Sequence, residues 1–207
     1  MQEIFNNNKI VDYFHEIEYQ NTADYFSYES RKKINNIFLQ KNIIKICIQI
    51  HLYHIDLIHE IITNLNYIPF PFHCYISTDN DEKMAIIKNE FNKSCKNADK
   101  VIIEIFENKG RDVAPFIEQM KNKISKYDYI LHIHTKKSIT CNGLRDDWRK
   151  YLYINLLGNV ENIYRIFGEF LTDKYLGLIY PEMFPPILPY INWASKQQDI
   201  QQAKMMF

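Results

Sequence analysis

The sequence has no basic surplus, no long apolar run and no paired-cysteine motif, and each absence excludes a class of protein. Lysine and arginine together number 25, as do aspartate and glutamate, so the formal net charge is zero. Because nucleic-acid-binding proteins usually carry a basic excess, we expect no nucleic-acid partner. No apolar stretch approaches the roughly 18 residues that a membrane span needs. The N-terminus lacks the basic and apolar regions of a signal peptide, so we expect a cytoplasmic protein.

The cysteines also argue against a disulfide scaffold or a cysteine-ligated zinc site. There are four, at positions 47, 74, 95 and 141, and none forms a C-x-x-C pair. Cys47 and Cys74 lie in apolar runs and are interpreted as small buried hydrophobic residues. This pattern is typical of a reducing compartment.

A regular alternation of strand and helix patterns begins near residue 41. β-Branched and apolar runs predict strands, and segments with apolar residues on one helical face predict helices between them. The predicted strands are 43–50, 71–78, 100–106, 127–134 and 175–180, and the predicted helices are 54–65, 79–91, 112–124, 145–157 and 160–171. This order predicts an α/β fold with a mostly parallel, Rossmann-like sheet flanked by helices.

We divide the chain into three parts. Residues 1–40 form a polar N-terminal extension with a short helix, residues 41–182 form the α/β domain, and residues 183–207 form a tail. Ligands of such sheets bind at the carboxyl ends of the strands. The unusual polar residues of the chain fall at those ends.

The first such end reads "ENKGRD", residues 107–112. Gly110 allows the backbone to turn sharply and approach a ligand, although one glycine is not a phosphate-binding fingerprint. Arg111 offers a planar set of donors for a phosphate or carboxylate. Asp112 is expected to cap the following helix, whose N-terminus favours anions. The alternative is that Asp112 is only a cap and Arg111 only a solvated neighbour.

The second end reads "HIHTKKS", residues 132–138. His132 and His134 point to the same side of a strand and can bind a metal ion, but no third ligand is evident from the sequence. Lys136 and Lys137, with the hydroxyl groups beside them, can instead neutralise a diphosphate without a metal. The alternative is an exposed turn with no ligand.

Two further places carry carboxylates. Asp79, in "STDND", can bind a ribose hydroxyl or a base, and otherwise it belongs to the cap of the next helix. Asp146 and Asp147, in "DDWRKY", are candidates for a catalytic base. No catalytic residue is assigned from the sequence.

Three blocks in this order resemble the rhamnan synthesis F family of bacterial polysaccharide assembly. They are "NKGRDVAPFI", "YDYILHIHTKKS" and "WRKYLYINLLG", and the likeness covers residues 43–182. The resemblance implies a glycosyltransferase domain of the GT-A class that binds a nucleotide sugar such as dTDP-rhamnose in rhamnan or lipopolysaccharide synthesis. Taken together, the strand ends described above and this resemblance give the candidate donor-binding residues Asp79, Asn108, Gly110, Arg111, Asp112, His134, Thr135, Lys136, Lys137 and Ser138.

Two departures from the GT-A pattern qualify this expectation. The Asp-x-Asp that usually holds a divalent metal is replaced by "HIHTKKS", so we expect lysines instead of a metal cofactor. The acceptor half of a GT-A domain is not visible before the chain ends, so the alternative is a non-catalytic binding or partner domain of a split or truncated glycosyltransferase. Expected partners are a glycan or lipid-linked glycan acceptor, and other assembly proteins or the inner membrane face.

These expectations combine into one geometric prediction. The loops "NKGRD" and "HTKKS" should converge on one cleft at the carboxyl edge of the sheet. Because a single helical crossover separates their strands, we expect the two strands to be neighbours or nearly so.

Overall fold

A computed structural model of the chain describes residues 28–38, 44–135, 137 and 144–186. Within these ranges, four strands form one parallel sheet, and helices pack on both of its faces. The strands are β1 (Ile46–His51), β2 (Phe72–Thr78), β3 (Ala98–Ile105) and β4 (Tyr129–His134). The helices are α1 (Tyr28–Phe38), α2 (Ile58–Leu65), α3 (Asp81–Ser94), α4 (Val113–Met120), α5 (Leu144–Leu157) and α6 (Val160–Thr172), with 3-10 turns at Ile55–Leu57 and Ile124–Lys126. The predicted α/β class and parallel sheet are confirmed.

The sheet has the order β3-β2-β1-β4, so the first strand of the sheet along the chain lies near its centre. All six residues of β1 are buried, because helices cover this strand from both sides. A strand buried on both faces needs apolar residues at nearly every position, and "ICIQIH" meets that need with one conspicuous exception, Gln49.

One face of the sheet carries the main hydrophobic core. Side chains from β1 and β2 that point to this face pack against α2, α3 and α6, and the cluster includes Ile48, Ile61, Cys74, Phe91 and Phe167. Burial of such side chains contributes roughly 1.5–3 kcal/mol each, so this face supplies most of the stability of the domain.

The opposite face changes character along the strands. Near the amino ends it is apolar, where Cys47, Tyr75 and Met120 form a small cluster under α4. Towards the carboxyl ends it becomes polar, because Gln49 pairs in register with His132 and His51 pairs with His134. A polar stripe therefore lies under the single helix α4, at the end of the sheet where ligands bind.

Helix α1 belongs to the same packed unit as the sheet. Ile34 is buried in the main core, and Asn35 accepts a hydrogen bond from the Tyr164 hydroxyl at 2.6 Å. Arg31 forms an ion pair with Glu161 at the start of α6. The predicted short helix near the N-terminus is confirmed.

The predicted fifth strand, 175–180, is wrong. The described residues after α6, 173–186, make no ladder with β4, and Tyr175, Leu178 and Tyr180 are 84%, 71% and 75% exposed. A cavity of about 440 Å³ is lined by both β4 and the segment 173–179. The alternating pattern of "YLGLIY" expresses a local preference, but a strand also needs a partner edge within hydrogen-bonding distance. No helix in the described ranges is both long and apolar enough to cross a membrane.

Candidate functional site

Asp112 of "NKGRD" and His134 of "HTKKS" meet at the carboxyl edge of the sheet, as predicted for the two loops. The prediction that their two strands are neighbours or nearly so is wrong, because β3 and β4 lie at opposite edges of the sheet. The crossover helix α4 packs against β1 and β2, and thus spans the middle of the sheet. Its N-terminus places Asp112 beside His132 and His134 of β4, although two strands separate β4 from β3, the strand that precedes α4.

The loop before α4 turns through two residues with left-handed backbone conformation. Gly110 has φ +72° and Arg111 has φ +57°, the latter being a sparsely populated conformation for a residue with a side chain. A Cβ atom on Gly110 would lie 2.4 Å from the Cβ of Ala114. The predicted sharp turn at Gly110 is confirmed. Asn108 and Arg111 are exposed on this loop.

The prediction that Asp112 caps the helix with its side chain is wrong. Asp112 occupies the N-cap position, but its backbone is helical and its carboxylate makes no capping hydrogen bond. One carboxylate oxygen of Asp112, Oδ2, instead lies 3.4 Å from His132 Nε2 and 3.3 Å from His134 Nδ1. The carboxylate is therefore directed to the sheet edge and not to the amides of its own helix.

Burial and mutual charge shift the titration of this cluster. Burial raises the pKa of the Asp112 carboxyl group, but His134, the Asp112 backbone amide and His132 together lower it below its usual value. Burial lowers the pKa of His132, against the opposing effect of Asp112. Burial likewise lowers the pKa of His51, which lies next to His134 in the β1–β4 register. An ionised carboxylate thus faces a histidine that favours its neutral form.

A buried amide network supports the histidines from below. Gln49 is fully buried and its Oε1 lies 2.7 Å from His132 Nδ1. The Gln49 amide nitrogen donates to Gln119 Oε1 at 3.0 Å and to Ser77 Oγ at 3.2 Å. Ser77 Oγ in turn lies 3.0 Å from His51 Nδ1. Every polar group in this part of the interior has a partner, so the ring of His132 has a defined orientation.

Thr135 closes the end of the site from inside the protein. Its hydroxyl accepts hydrogen bonds from the backbone amides of Tyr53 and His54, at 2.9 and 3.0 Å, and donates to the carbonyl of His51 at 3.2 Å. One donor and two acceptor positions are the full capacity of a hydroxyl group. In this arrangement Thr135 holds the β1 and β4 ends together.

The lysine segment is described only in part. Lys136 and Ser138 lie outside the described residues. Lys137 forms an ion pair with Asp56, in the 3-10 turn that follows β1. The predicted role of these three residues in binding a donor stays a prediction.

Asp79 lies at the end of β2 and is paired within the protein. Its carboxylate lies 2.7 Å from the Lys83 ammonium, which also donates to the Tyr53 carbonyl at 2.8 Å and lies 4.2 Å from the centre of the Tyr53 ring. The cap of α3 is Asn80, whose side chain accepts from the Lys83 amide at 2.9 Å. Asp79, Lys83 and Tyr53 therefore form one wall of the carboxyl edge.

The candidate base Asp146 is also engaged. It forms an ion pair with Arg149, a buried residue that donates two hydrogen bonds of 3.0 Å to the Glu60 carboxylate. The Tyr153 hydroxyl donates to the His134 carbonyl at 2.8 Å. These contacts attach α5 to α2 and to the end of β4, and they leave Asp146 in a structural ion pair.

Two contributors to the site were not predicted, namely Gln49 and Gln119. The sequence carried a signal for the first, because Gln49 interrupts an otherwise apolar buried strand and a buried amide needs partners. Gln119 gave no such signal, since a polar residue on a helix is usually exposed. Only the packing of α4 on the sheet brings it to the interior.

Comparison with known proteins agrees with the blocks recognised in the sequence. The model of the family described as "Rhamnan synthesis protein F" (RgpF) matches residues 2–206. Two relatives, each described as "Uncharacterized protein WxcX", come from Xanthomonas campestris pv. campestris, strains B100 and ATCC 33913. Each is 29% identical over 157 residues.

These alignments cover 74% of this chain but only 21% of either relative, so the chain spans about a fifth of their length. No solved structure matches the chain.

Proposed function

The chain belongs to the rhamnan synthesis protein F family, and from that membership we propose a glycosyltransferase-like protein of GT-A type. Rhamnan and polysaccharide synthesis is the process of the family. The proposed activity is binding of a nucleotide sugar, such as dTDP-rhamnose, and transfer of the sugar to a glycan acceptor. The observation that carries the proposal is the contact of Asp112 in "NKGRD" with His134 in "HTKKS" at the carboxyl edge of a parallel sheet.

The carboxyl edge offers suitable groups for each part of such a donor. Arg111 is exposed at the turn before α4, where its guanidinium can reach a phosphate. Lys136 and Lys137 supply positive charge near the end of β4, and charge-assisted hydrogen bonds to a phosphate contribute roughly 1.5–3 kcal/mol each. The wall formed by Tyr53, Asp79 and Lys83 offers an aromatic face and hydrogen-bonding groups to a base or ribose.

In the proposed reaction the nucleoside diphosphate leaves and an acceptor hydroxyl attacks the sugar. The cationic groups at the strand ends would stabilise the charge that develops on the departing diphosphate. Activation of the hydroxyl needs a base, and Asp146 is held by Arg149. We therefore propose donor binding by the groups at the strand ends and assign no base among the described residues.

A second candidate is a non-catalytic binding or partner domain of a larger glycosyltransferase. The observation that favours it is that the candidate base Asp146 is held in an ion pair by Arg149. In either case we propose that the acceptor is a glycan or lipid-linked glycan. We also propose that the protein associates peripherally with the inner membrane face or with other glycan-assembly proteins.

Equilibrium binding of dTDP-rhamnose to the full chain tests the proposal. Calorimetry should show one site, and dTDP with another sugar should bind at least about tenfold more weakly, a difference of about 1.4 kcal/mol. Lys136→Ala should weaken binding of dTDP-rhamnose by about tenfold or more, because it removes a phosphate contact. The matched control is Lys88→Ala, which removes an exposed lysine from α3 and should leave binding unchanged.

Turnover separates the two candidates. Transfer or slow hydrolysis of dTDP-rhamnose by the chain would support an enzyme, whereas tight binding without turnover would favour the partner domain. Absence of nucleotide-sugar binding, with the fold intact by circular dichroism, would contradict the glycosyltransferase and leave the partner domain.

A further inference from the structure

We propose that Asp112, His132 and His134 bind a divalent transition-metal ion at the carboxyl edge of the sheet. Within the described part of the chain, this is the one group of three histidine, cysteine or acidic side chains whose ligand atoms all lie within 4.8 Å of one another. The ion itself would bind whether or not the chain uses a nucleotide sugar. Its role towards a donor diphosphate rests on the proposed function.

The distances between the candidate ligand atoms fit a single ion. Asp112 Oδ2 lies 3.4 Å from His132 Nε2 and 3.3 Å from His134 Nδ1. Ligands about 2.0–2.1 Å from a zinc ion lie about 3.3–3.4 Å apart at the corners of a tetrahedron. The geometry is set by the fold, because His132 and His134 share one side of β4 and α4 carries Asp112 over them.

The amide network determines which nitrogen of His132 carries the proton. The Gln119 amide nitrogen donates to the Ile76 backbone carbonyl at 3.2 Å, so the Gln119 oxygen must face Gln49. That oxygen accepts from the Gln49 amide nitrogen, which leaves Gln49 Oε1 facing His132 Nδ1 at 2.7 Å. Because a carbonyl oxygen only accepts, Nδ1 of His132 must donate.

In neutral His132 this assignment leaves the unshared electron pair on Nε2, the atom that faces Asp112, and that is the atom with which an imidazole binds a metal ion. Asp112 Oδ2 also lies 3.3 Å from His134 Nδ1, so one ion can contact all three atoms. A buried partner that orients the other nitrogen of a ligating histidine is the usual support of a metal site.

The donor set selects the class of ion. Two imidazoles and one carboxylate suit zinc, manganese, iron or cobalt, whereas magnesium and calcium prefer ligands that are all oxygen. The three side chains are 24%, 29% and 32% exposed for Asp112, His132 and His134, so the remaining coordination positions can face solvent or a ligand. An ion there would approach the oxygens of a donor diphosphate and neutralise them.

This proposal differs from the expectation drawn from the sequence. Lysines were expected to replace the metal, because no third ligand was evident beside the two histidines. The structure brings Asp112, twenty residues before His132, to that position. The two ideas predict opposite effects of chelation on donor binding.

Titration of the metal-free full chain with zinc alone tests the site, with cobalt as a spectroscopic probe. We expect one zinc ion per chain, a cobalt spectrum without a thiolate band, and a higher melting temperature with zinc. Asp112→Asn and His134→Ala should each weaken zinc binding by at least about tenfold. Gln49→Leu, which removes the support of His132 but no ligand, should weaken it by about 10–100-fold.

The control is His59→Ala, which removes a histidine whose side chain is 75% exposed on α2 and should leave zinc affinity unchanged. Circular dichroism of each variant establishes that it folds. If Gln49→Leu does not fold, the Asp112 and His134 variants decide alone. Failure of the wild-type chain to bind one ion, or equal binding by the Asp112→Asn and His134→Ala variants, would overturn the proposal.

A second titration separates this result from the proposed function. If dTDP-rhamnose binds equally well with EDTA and with zinc, the lysine mechanism is supported and the ion has no role towards the diphosphate. If zinc binds but dTDP-rhamnose does not, the metal site stands and the proposed function fails.

Discussion

At the residue scale, the turn before α4 determines where Asp112 lies. Gly110 and Arg111 both have positive φ, and together they reverse the chain between β3 and α4. The Gly110 carbonyl then accepts from the Ala114 amide at 3.2 Å, so the turn is joined directly to the helix. Any residue with a Cβ at position 110 is disfavoured both by its backbone conformation and by Ala114.

Gly110→Ala should therefore destabilise the protein by about 1–3 kcal/mol, since a left-handed conformation is costly for alanine and its Cβ would overlap Ala114. Urea denaturation measures the change. Gly177→Ala is the matched control, because a Cβ there meets no atom within 4 Å, and it should be nearly neutral. Equal losses from the two substitutions would show that the turn is not constrained as described.

At the element scale, one hydroxyl group joins the ends of two strands. The Thr135 side chain makes hydrogen bonds with three backbone atoms, one in the last residue of β1 and two in the loop after it, and is only 5% exposed. This contact keeps the loop that carries Tyr53 and His54 beside the end of β4. The wall of the site thus depends on a residue whose own hydroxyl faces inwards.

Thr135→Val keeps the shape of the side chain but leaves the Tyr53 and His54 amides without their acceptor. We expect a loss of roughly 1–3 kcal/mol in the free energy of unfolding, the cost of leaving buried donors unpaired. The control is Thr172→Val at the exposed end of α6, expected to change stability by less than about 0.5 kcal/mol. Denaturant unfolding of both variants makes the comparison, and a neutral Thr135→Val would show that water replaces the hydroxyl.

At the scale of the whole molecule, the sheet is ordered so that its polar stripe lies under one helix. The first strand along the chain, β1, lies in the interior of the sheet, and α4 crosses over β1 and β2 on its way from β3 to β4. Five helices, α1, α2, α3, α5 and α6, contribute side chains to the core on the apolar face, while α4 covers the other face. The outer edge of β4 makes no ladder with the described part of the chain.

Hydrogen exchange tests this arrangement across the molecule. Amides of residues 177–180 should exchange rapidly, because they are not hydrogen-bonded in a ladder. Amides of β1 should exchange only when the whole domain unfolds. For a domain stable by about 5 kcal/mol or more, the difference is at least about a thousandfold in rate. Mass spectrometry of peptides covering the two segments measures it. Comparable protection of both would indicate that 177–180 pairs with β4 in solution.

The amino-acid sequence by itself determined the elements and the edge at which the site lies. β-Branched runs such as "ICIQI" and apolar helical faces are local, so their periods predict strand and helix without knowledge of the fold. Alternation of the two then requires parallel strands, and parallel strands place "NKGRD" and "HTKKS" at one edge. The positive φ at Gly110 was predictable in the same way, because it depends on one residue type.

Only the tertiary structure decided which atoms meet at that edge. The order β3-β2-β1-β4 separates the two loops' strands, yet the path of α4 over the sheet brings the Asp112 carboxylate to His132 and His134. The packing of α4 also buries Gln119 against Gln49. Separately, residues 175–180 lie outside the sheet although their sequence pattern is that of a strand. These outcomes depend on packing between segments distant in sequence, and no local preference of the chain encodes such distances.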